Sequence, residues 1–147
     1  MIFNFILLKM DNKKLPRGLR NCNPGNIRIG SSTWQGQVVP GADKEFCQFQ
    51  TMAYGYRAML MTLRNYRRKH GCSTVFDFIR RWAPPVENDT AAYIRSVCRT
   101  LQVPDSYIPD IDDRTVMCNL AAAISKVENG VDAVMTDVQA GWDLLQL

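Results

Sequence analysis

Apolar residues recur at helical spacing in five stretches of this chain, and each stretch carries its own start and stop signals. In residues 51–69 the positions Met52, Tyr56, Met59, Leu60, Leu63 and Tyr66 fall on one stripe, as an amphipathic helix requires. The other side and the last turn carry Arg64, Arg67, Arg68 and Lys69, which complement the helix dipole and read as a solvated face. Thr51 caps this helix and Gly71 ends it. Ser73 or Thr74 opens a short helix to Trp82, with Val75, Phe78 and Ile79 inward, and Ala83-Pro-Pro stops it because proline cannot continue a helix. Asn88 or Asp89 caps a third, over 90–101, with Tyr93, Ile94, Val97 and Leu101 on its stripe. Asp112 or Asp113 starts a fourth, rich in alanine, that reaches Glu128 and stops at Asn129-Gly130. Thr136 begins a fifth carrying Val138, Trp142 and Leu145.

Before the first helix the pattern changes. Residues 17–28 hold three Asn, two Gly, one Pro and three Arg, which is too polar and turn-rich for a helix or a long strand. Pro24-Gly25 suits the centre of a type II turn, with Gly25 taking φ > 0. Asn21, Asn23 and Asn26 offer donors and acceptors that either brace a tight loop or line a polar binding site. Residues 27–49 alternate short β-favouring pieces with turns, which predicts a small antiparallel β-ribbon leaning on the helices. The expected fold class is thus α+β and mostly helical, about five helices plus the ribbon, with residues 1–15 as an N-terminal extension and 16–147 as one domain.

Composition narrows the function classes. The chain has 147 residues, 46% hydrophobic and 22% charged, enough for a core without disulfides. The net charge of +4 suits an anionic polymer but identifies none. Five cysteines at 22, 47, 72, 98 and 118 form no Cys-x-x-Cys pair and read as reduced, mostly buried residues of a chain made in a bacterial cytoplasm. Residues 1–8 are apolar but too short to span a membrane, and they lack the flanks of a signal peptide; Met10 is an alternative start. A single His and scattered Cys give no metal-ligand spacing, and no phosphate loop or dinucleotide fingerprint is present, so neither metal nor cofactor is expected. The basic runs at 64–69 and 80–81 are a weak nucleic-acid signal without a recognised motif.

What remains is carboxylates among polar and aromatic neighbours, the apparatus of glycoside cleavage. Glu128 ends the most apolar helix, beside the core and at the helix end whose dipole disfavours negative charge. Burial favours the protonated carboxyl, so Glu128 is the first candidate for a general acid; the plain alternative is an exposed last-turn residue. Glu87 follows Trp82-Ala-Pro-Pro and is the candidate second carboxylate, or else an ion-pair partner of Arg17 or Arg20. Asp89 reads first as a cap. Trp34, Gln48, Gln50, Tyr54 and Trp82 suit sugar binding, with rings for sugar faces and amides for hydroxyl and acetamido groups, whereas Phe46 and Phe49 read as core.

These motifs carry a resemblance. Arg17-Gly-Leu-Arg-Asn-Cys-Asn-Pro-Gly-Asn-Ile-Arg28, then Trp34-Gln-Gly36, Phe46-Cys-Gln-Phe49, Tyr54-Gly-Tyr-Arg57 and Trp82-Ala-Pro-Pro-Val-Glu-Asn-Asp-Thr90 resemble a group of phage and prophage proteins often labelled structural or virion proteins. The resemblance spans about 17–145 and implies a lysozyme-like fold. The helix ending Leu120-Ala-Ala-Ala-Ile-Ser-Lys-Val-Glu-Asn-Gly130 is similar to the one that delivers the catalytic Glu in cell-wall glucosaminidases and goose-type lysozymes. There that helix comes first, so the resemblance implies a circularly permuted domain in which Glu128 faces the loop 21–26. It also implies sugar contacts for Thr90 and Tyr93, although Tyr93 fits a core position equally. The chain departs from those families at Val127, where a His is expected, and at Cys22, where an Asn is expected.

Three functions follow as expectations. The first is a monomeric peptidoglycan-cleaving glycosidase, a lysozyme or lytic transglycosylase, acting in the cell wall. The second is a non-catalytic virion component that binds the wall or other virion proteins. The third, a nucleic-acid binder, has the weakest support, and no membrane association is expected.

Overall fold

The computed structural model describes residues 15–146 and consists of six helices: α1 (Arg17–Arg20), α2 (Met52–His70), α3 (Val75–Trp82), α4 (Thr90–Leu101), α5 (Arg114–Asn129) and α6 (Met135–Leu145). The expected apolar residues 1–8 and the alternative start at Met10 lie outside the described residues. Among the described residues no helix is long and apolar enough to cross a membrane.

Capping chemistry sets most helix ends. Thr51 accepts from the Tyr54 N–H and Gly71 closes α2 at φ 67°, where a side chain would be strained. Thr74 and Asp77 form a reciprocal capping box on α3. Asp89 and Asp113 cap α4 and α5, and Gly130 closes α5 at φ 72°. Helix α6 starts one residue before Thr136, at Met135, with Val134 at its cap and no side-chain bond there.

Helix α2 packs most extensively against α6, and α5 lies against α4, α6, α2 and α1. The α2–α6 approach is close because α6 presents Gly141. A Cβ on Gly141 would lie 2.7 Å from Tyr56 Cβ and 2.8 Å from the Arg57 backbone nitrogen. Tyr56, Met59, Leu60 and Leu63 of α2 meet Val75, Phe78 and Ile79 of α3, Val97 of α4 and Met117, Leu120 and Ile124 of α5 in one core. A smaller cluster of Cys47, Phe49 and Ala58 seats the loop region on the other side of α2.

The α+β expectation is corrected. The described residues contain no strand, so the molecule is helical and the lysozyme-like arrangement of helices around a ribbon does not describe it. The segment 27–49 makes two isolated antiparallel bridges, Arg28 with Phe46 and Gln37 with Phe49. No ladder grows from them because turns recur every few residues and side chains take the ladder groups. The buried Asn23 amide donates to the Ile27 and Cys47 carbonyls and accepts from the Ile27 N–H. Two local readings also change. Residues 17–20 form one helical turn, with Arg20 N–H bonded to Pro16 O, held against the end of α5. The Asn23–Asn26 turn closes by the Asn26 N–H on Asn23 O, but Gly25 does not take positive φ; Cys22 and Asn26 do, both at 49°. Gly25 is needed for space instead, since a Cβ there would sit 2.8 Å from both Met59 Cγ and Trp82 Cζ2.

Candidate functional site

The cleft begins with the end of α5. Ala121 and Ala123 are fully buried, so small side chains bring the backbone of this helix close to its neighbours. Its last two residues then reach the polar loop. Asn129 Nδ2 donates to Pro24 O at 2.9 Å and to Ser125 O at 2.9 Å. Glu128 Oε1 accepts from Asn26 Nδ2 at 3.0 Å, across 102 positions of sequence. Two consecutive residues of one helix end therefore grip two points of the Pro24–Asn26 turn. Gly18 of α1 completes the joint: a Cβ there would lie 2.8 Å from Asn23 O and 3.1 Å from Asn26 Oδ1, and closer still to Asn129 Oδ1.

Tyr93 holds the other carboxylate oxygen. Its hydroxyl donates to Glu128 Oε2 at 2.7 Å, and it is 6% exposed. Burial, and next the Glu128 charge, push the Tyr93 phenol far above its ordinary range, so it remains a proton-bearing donor. A second buried chain runs behind: the Tyr56 hydroxyl meets Ser125 Oγ at 2.9 Å, and Ser125 O takes the Asn129 amide.

In front of Glu128 lies an open cleft of about 570 Å³. Asn26, Arg28, Trp34 and Phe46 line it from the loop side, Tyr66 from α2, and Arg81, Trp82, Pro84, Glu87 and Asn88 from the end of α3 and the loop after it. Tyr66 and Trp82 stand edge to face with ring centres 6.4 Å apart, and the Arg81 guanidinium lies 5.3 Å above the Tyr66 ring. The cleft thus combines rings, amides, two guanidinium groups and two carboxylates. No group of three or more His, Cys, Asp or Glu among the described residues is placed to hold a metal ion.

Of the residues singled out in the sequence, Asn26, Trp34, Trp82, Glu87 and Glu128 share this cleft, with Tyr93 beneath it. The others have structural contacts away from its lining. Asn21 donates to Asp43 Oδ2, and Asn23 braces the loop as above. Gln48 accepts from the Ala42 N–H, and the Gln50 N–H bonds Gly36 O. Tyr54 packs over Gly36 in the smaller cluster. Asp89 caps α4, and the Thr90 hydroxyl donates to Ala83 O at 2.6 Å. Glu87 makes no ion pair with Arg17 or Arg20; Arg17 instead pairs with Asp43 at 2.6 Å. That guanidinium, followed by the Glu45 backbone N–H, holds the Asp43 carboxyl well below the usual carboxylate range.

Sequence reasoning missed Arg81, Tyr66 and Asn129. In the sequence Tyr66 reads only as a stripe residue of its helix, and Arg81 only, with Arg80, as part of a weak nucleic-acid signal. Asn129 carried one usable signal: Asn directly after the candidate acid and before a terminal Gly can send its amide back over the helix end.

No protein-family profile matches the chain. Among known proteins it is similar to Protein P5 of Pseudoalteromonas phage PM2, with 38% identity over 131 residues, covering 86% of this chain and 80% of that protein.

Proposed function

The chain belongs to the family of Protein P5 of Pseudoalteromonas phage PM2, and from that premise we propose that it is a virion component whose cleft engages and cuts the glycan of the bacterial wall. Glu128 is the general acid of this reading, and other virion proteins are its remaining partners. The observation that carries it is the set Asn26–Glu128–Tyr93 at the inner side of an open aromatic cleft. A carboxyl held at both oxygens by donors from two other elements is fixed in position, and general acid catalysis needs such fixed geometry. Trp34, Tyr66 and Trp82 supply flat faces for sugar rings, while Asn88 supplies an amide at the rim.

In the reaction, Glu128 takes up a proton from solvent in the open cleft and gives it to the glycosidic oxygen as the bond from that oxygen to the anomeric carbon breaks. The Asn26 amide and the Tyr93 hydroxyl then stabilise the carboxylate left behind. The anomeric carbon takes water, whose proton passes to Glu87 or back to Glu128, or it takes a hydroxyl of the same sugar, whose proton returns to Glu128, to give an anhydro product.

The test is clearing of purified peptidoglycan by wild type beside Glu128→Gln, with co-sedimentation on the same material. The expected loss on substitution is at least about 100-fold, the lower range for a positioned acid. Clearing by both proteins moves the chemistry to Glu87. Sedimentation with the wall and no clearing by either establishes the second reading, a non-catalytic virion protein. Val127 and Cys22 stand where the resemblance implies His and Asn, changes that weaken catalysis or tune it.

A further inference from the structure

The cleft holds four charged side chains, and two of them are already held by other side chains. Glu128 is tied to Asn26 and Tyr93. Arg28 lies 3.7 Å from Glu45 and 4.9 Å from the centre of the Phe46 ring. Glu87 is the carboxylate available to handle water. Arg81 differs: among the described residues it makes no ion pair. Its guanidinium is held over Tyr66, whose ring meets Trp82 edge to face, so the cation sits beside this aromatic pair in the lining of the cleft. A cation–π contact sets where a guanidinium lies but leaves its in-plane N–H groups free. Those groups match a carboxylate in two parallel hydrogen bonds.

We propose that Arg81 is the specificity-determining residue of the cleft, selecting glycans that carry a carboxylate beside the sugar ring over neutral glycans of the same backbone. This rests on the glycan-binding reading above and deepens it. Peptidoglycan has that chemistry wherever the lactyl ether on every second sugar ends in a free carboxylate rather than in a peptide. A chitin-type chain has the same acetamido groups and no carboxylate. A sugar ring stacked on Trp82, next to Tyr66, would bring such a substituent to Arg81.

The experiment is calorimetric titration of the full chain, in the Glu128→Gln background so that nothing is turned over. The probes are a neutral N-acetylglucosamine tetramer and a tetramer of alternating N-acetylglucosamine and N-acetylmuramic acid with free lactyl carboxylates. The acidic tetramer is expected to bind about 10-fold tighter or more, the yield of a paired charged hydrogen bond in a partly open site. Added salt should shrink the difference. Arg81→Gln should bring the two affinities together by weakening only the acidic ligand. Equal affinity of the Arg81-containing protein for both tetramers overturns the assignment while leaving the glycan cleft intact. An undiminished preference in Arg81→Gln overturns it as well. Binding of neither tetramer defeats the glycan reading itself, and this inference with it.

Discussion

Replacing Asn129 tests whether the end of α5 truly holds the polar loop in place. Asn129→Ala removes three hydrogen bonds in a buried setting, to Pro24 O and Ser125 O, both at 2.9 Å, and to Ser125 Oγ at 3.4 Å. The Ser125 carbonyl sits within the turns of α5, but the Pro24 carbonyl has no other backbone partner, so it becomes a buried acceptor without a donor. That costs about 1–3 kcal/mol. Asn129 Oδ1 is itself buried and unpaired, and its removal offsets a little of the loss. The net is about 2 kcal/mol, which for a chain of this size lowers Tm by roughly 6–8 °C. Asn129→Asp should cost more, because a carboxylate oxygen then faces the Pro24 carbonyl. Urea and thermal unfolding followed by circular dichroism measure both. Asn119→Ala is the control, an exposed Asn on the same helix, where the change should stay within about 0.5 kcal/mol. If Asn129→Ala falls no further than Asn119→Ala, the joint does not hold the loop and the argument for a fixed Glu128 loses its frame.

Three further outcomes follow. Tyr93→Phe removes the 2.7 Å bond to Glu128 and should slow wall clearing about 10-fold while circular dichroism stays unchanged; an unaltered rate removes Tyr93 from the site. Gly25→Ala puts a methyl group into Met59 and the Trp82 ring and should destabilise by about 1–3 kcal/mol, with a shift in tryptophan emission as the cleft wall moves. Burial pushes the Tyr56 phenol from its ordinary 10 up to about 12, so the folded chain keeps that proton longer than the unfolded one. Its contribution is complete below pH 10 and is lost as pH rises from 10 to 12, about 3 kcal/mol in all. The urea midpoint should fall across that window in wild type and fall less in Tyr56→Phe.

The five long helices were legible because their information is local. Threonine or aspartate at the start, a 3.6-residue apolar stripe, and Gly71, Gly130 or Pro84 at the stop each act within a turn or two of chain. The nomination of Glu128 was also local, from a carboxylate placed at the wrong end of an apolar helix. The ribbon was over-read for the same reason. β-favouring residues between 27 and 49 are a local signal, but a strand needs neighbours to take its backbone groups, and here the Asn23 side chain takes several of them.

What the chain determined by itself is its helices, most of their caps, a core without disulfides and a glutamate at the end of α5. Tertiary structure decided which polar residues share a cleft and which only brace the loop. Asn23 and Asn26 lie three apart and look alike in sequence, yet one is sealed among backbone groups and the other reaches Glu128. It also decided that Gly18 and Gly25 are needed for close approach, and that Arg81 lies on Tyr66 beside the cleft. Hydrogen bonds across 102 positions, and contacts that only exist once α1, α3 and α5 have docked, leave no periodicity in a sequence, because their partners are set by packing in three dimensions.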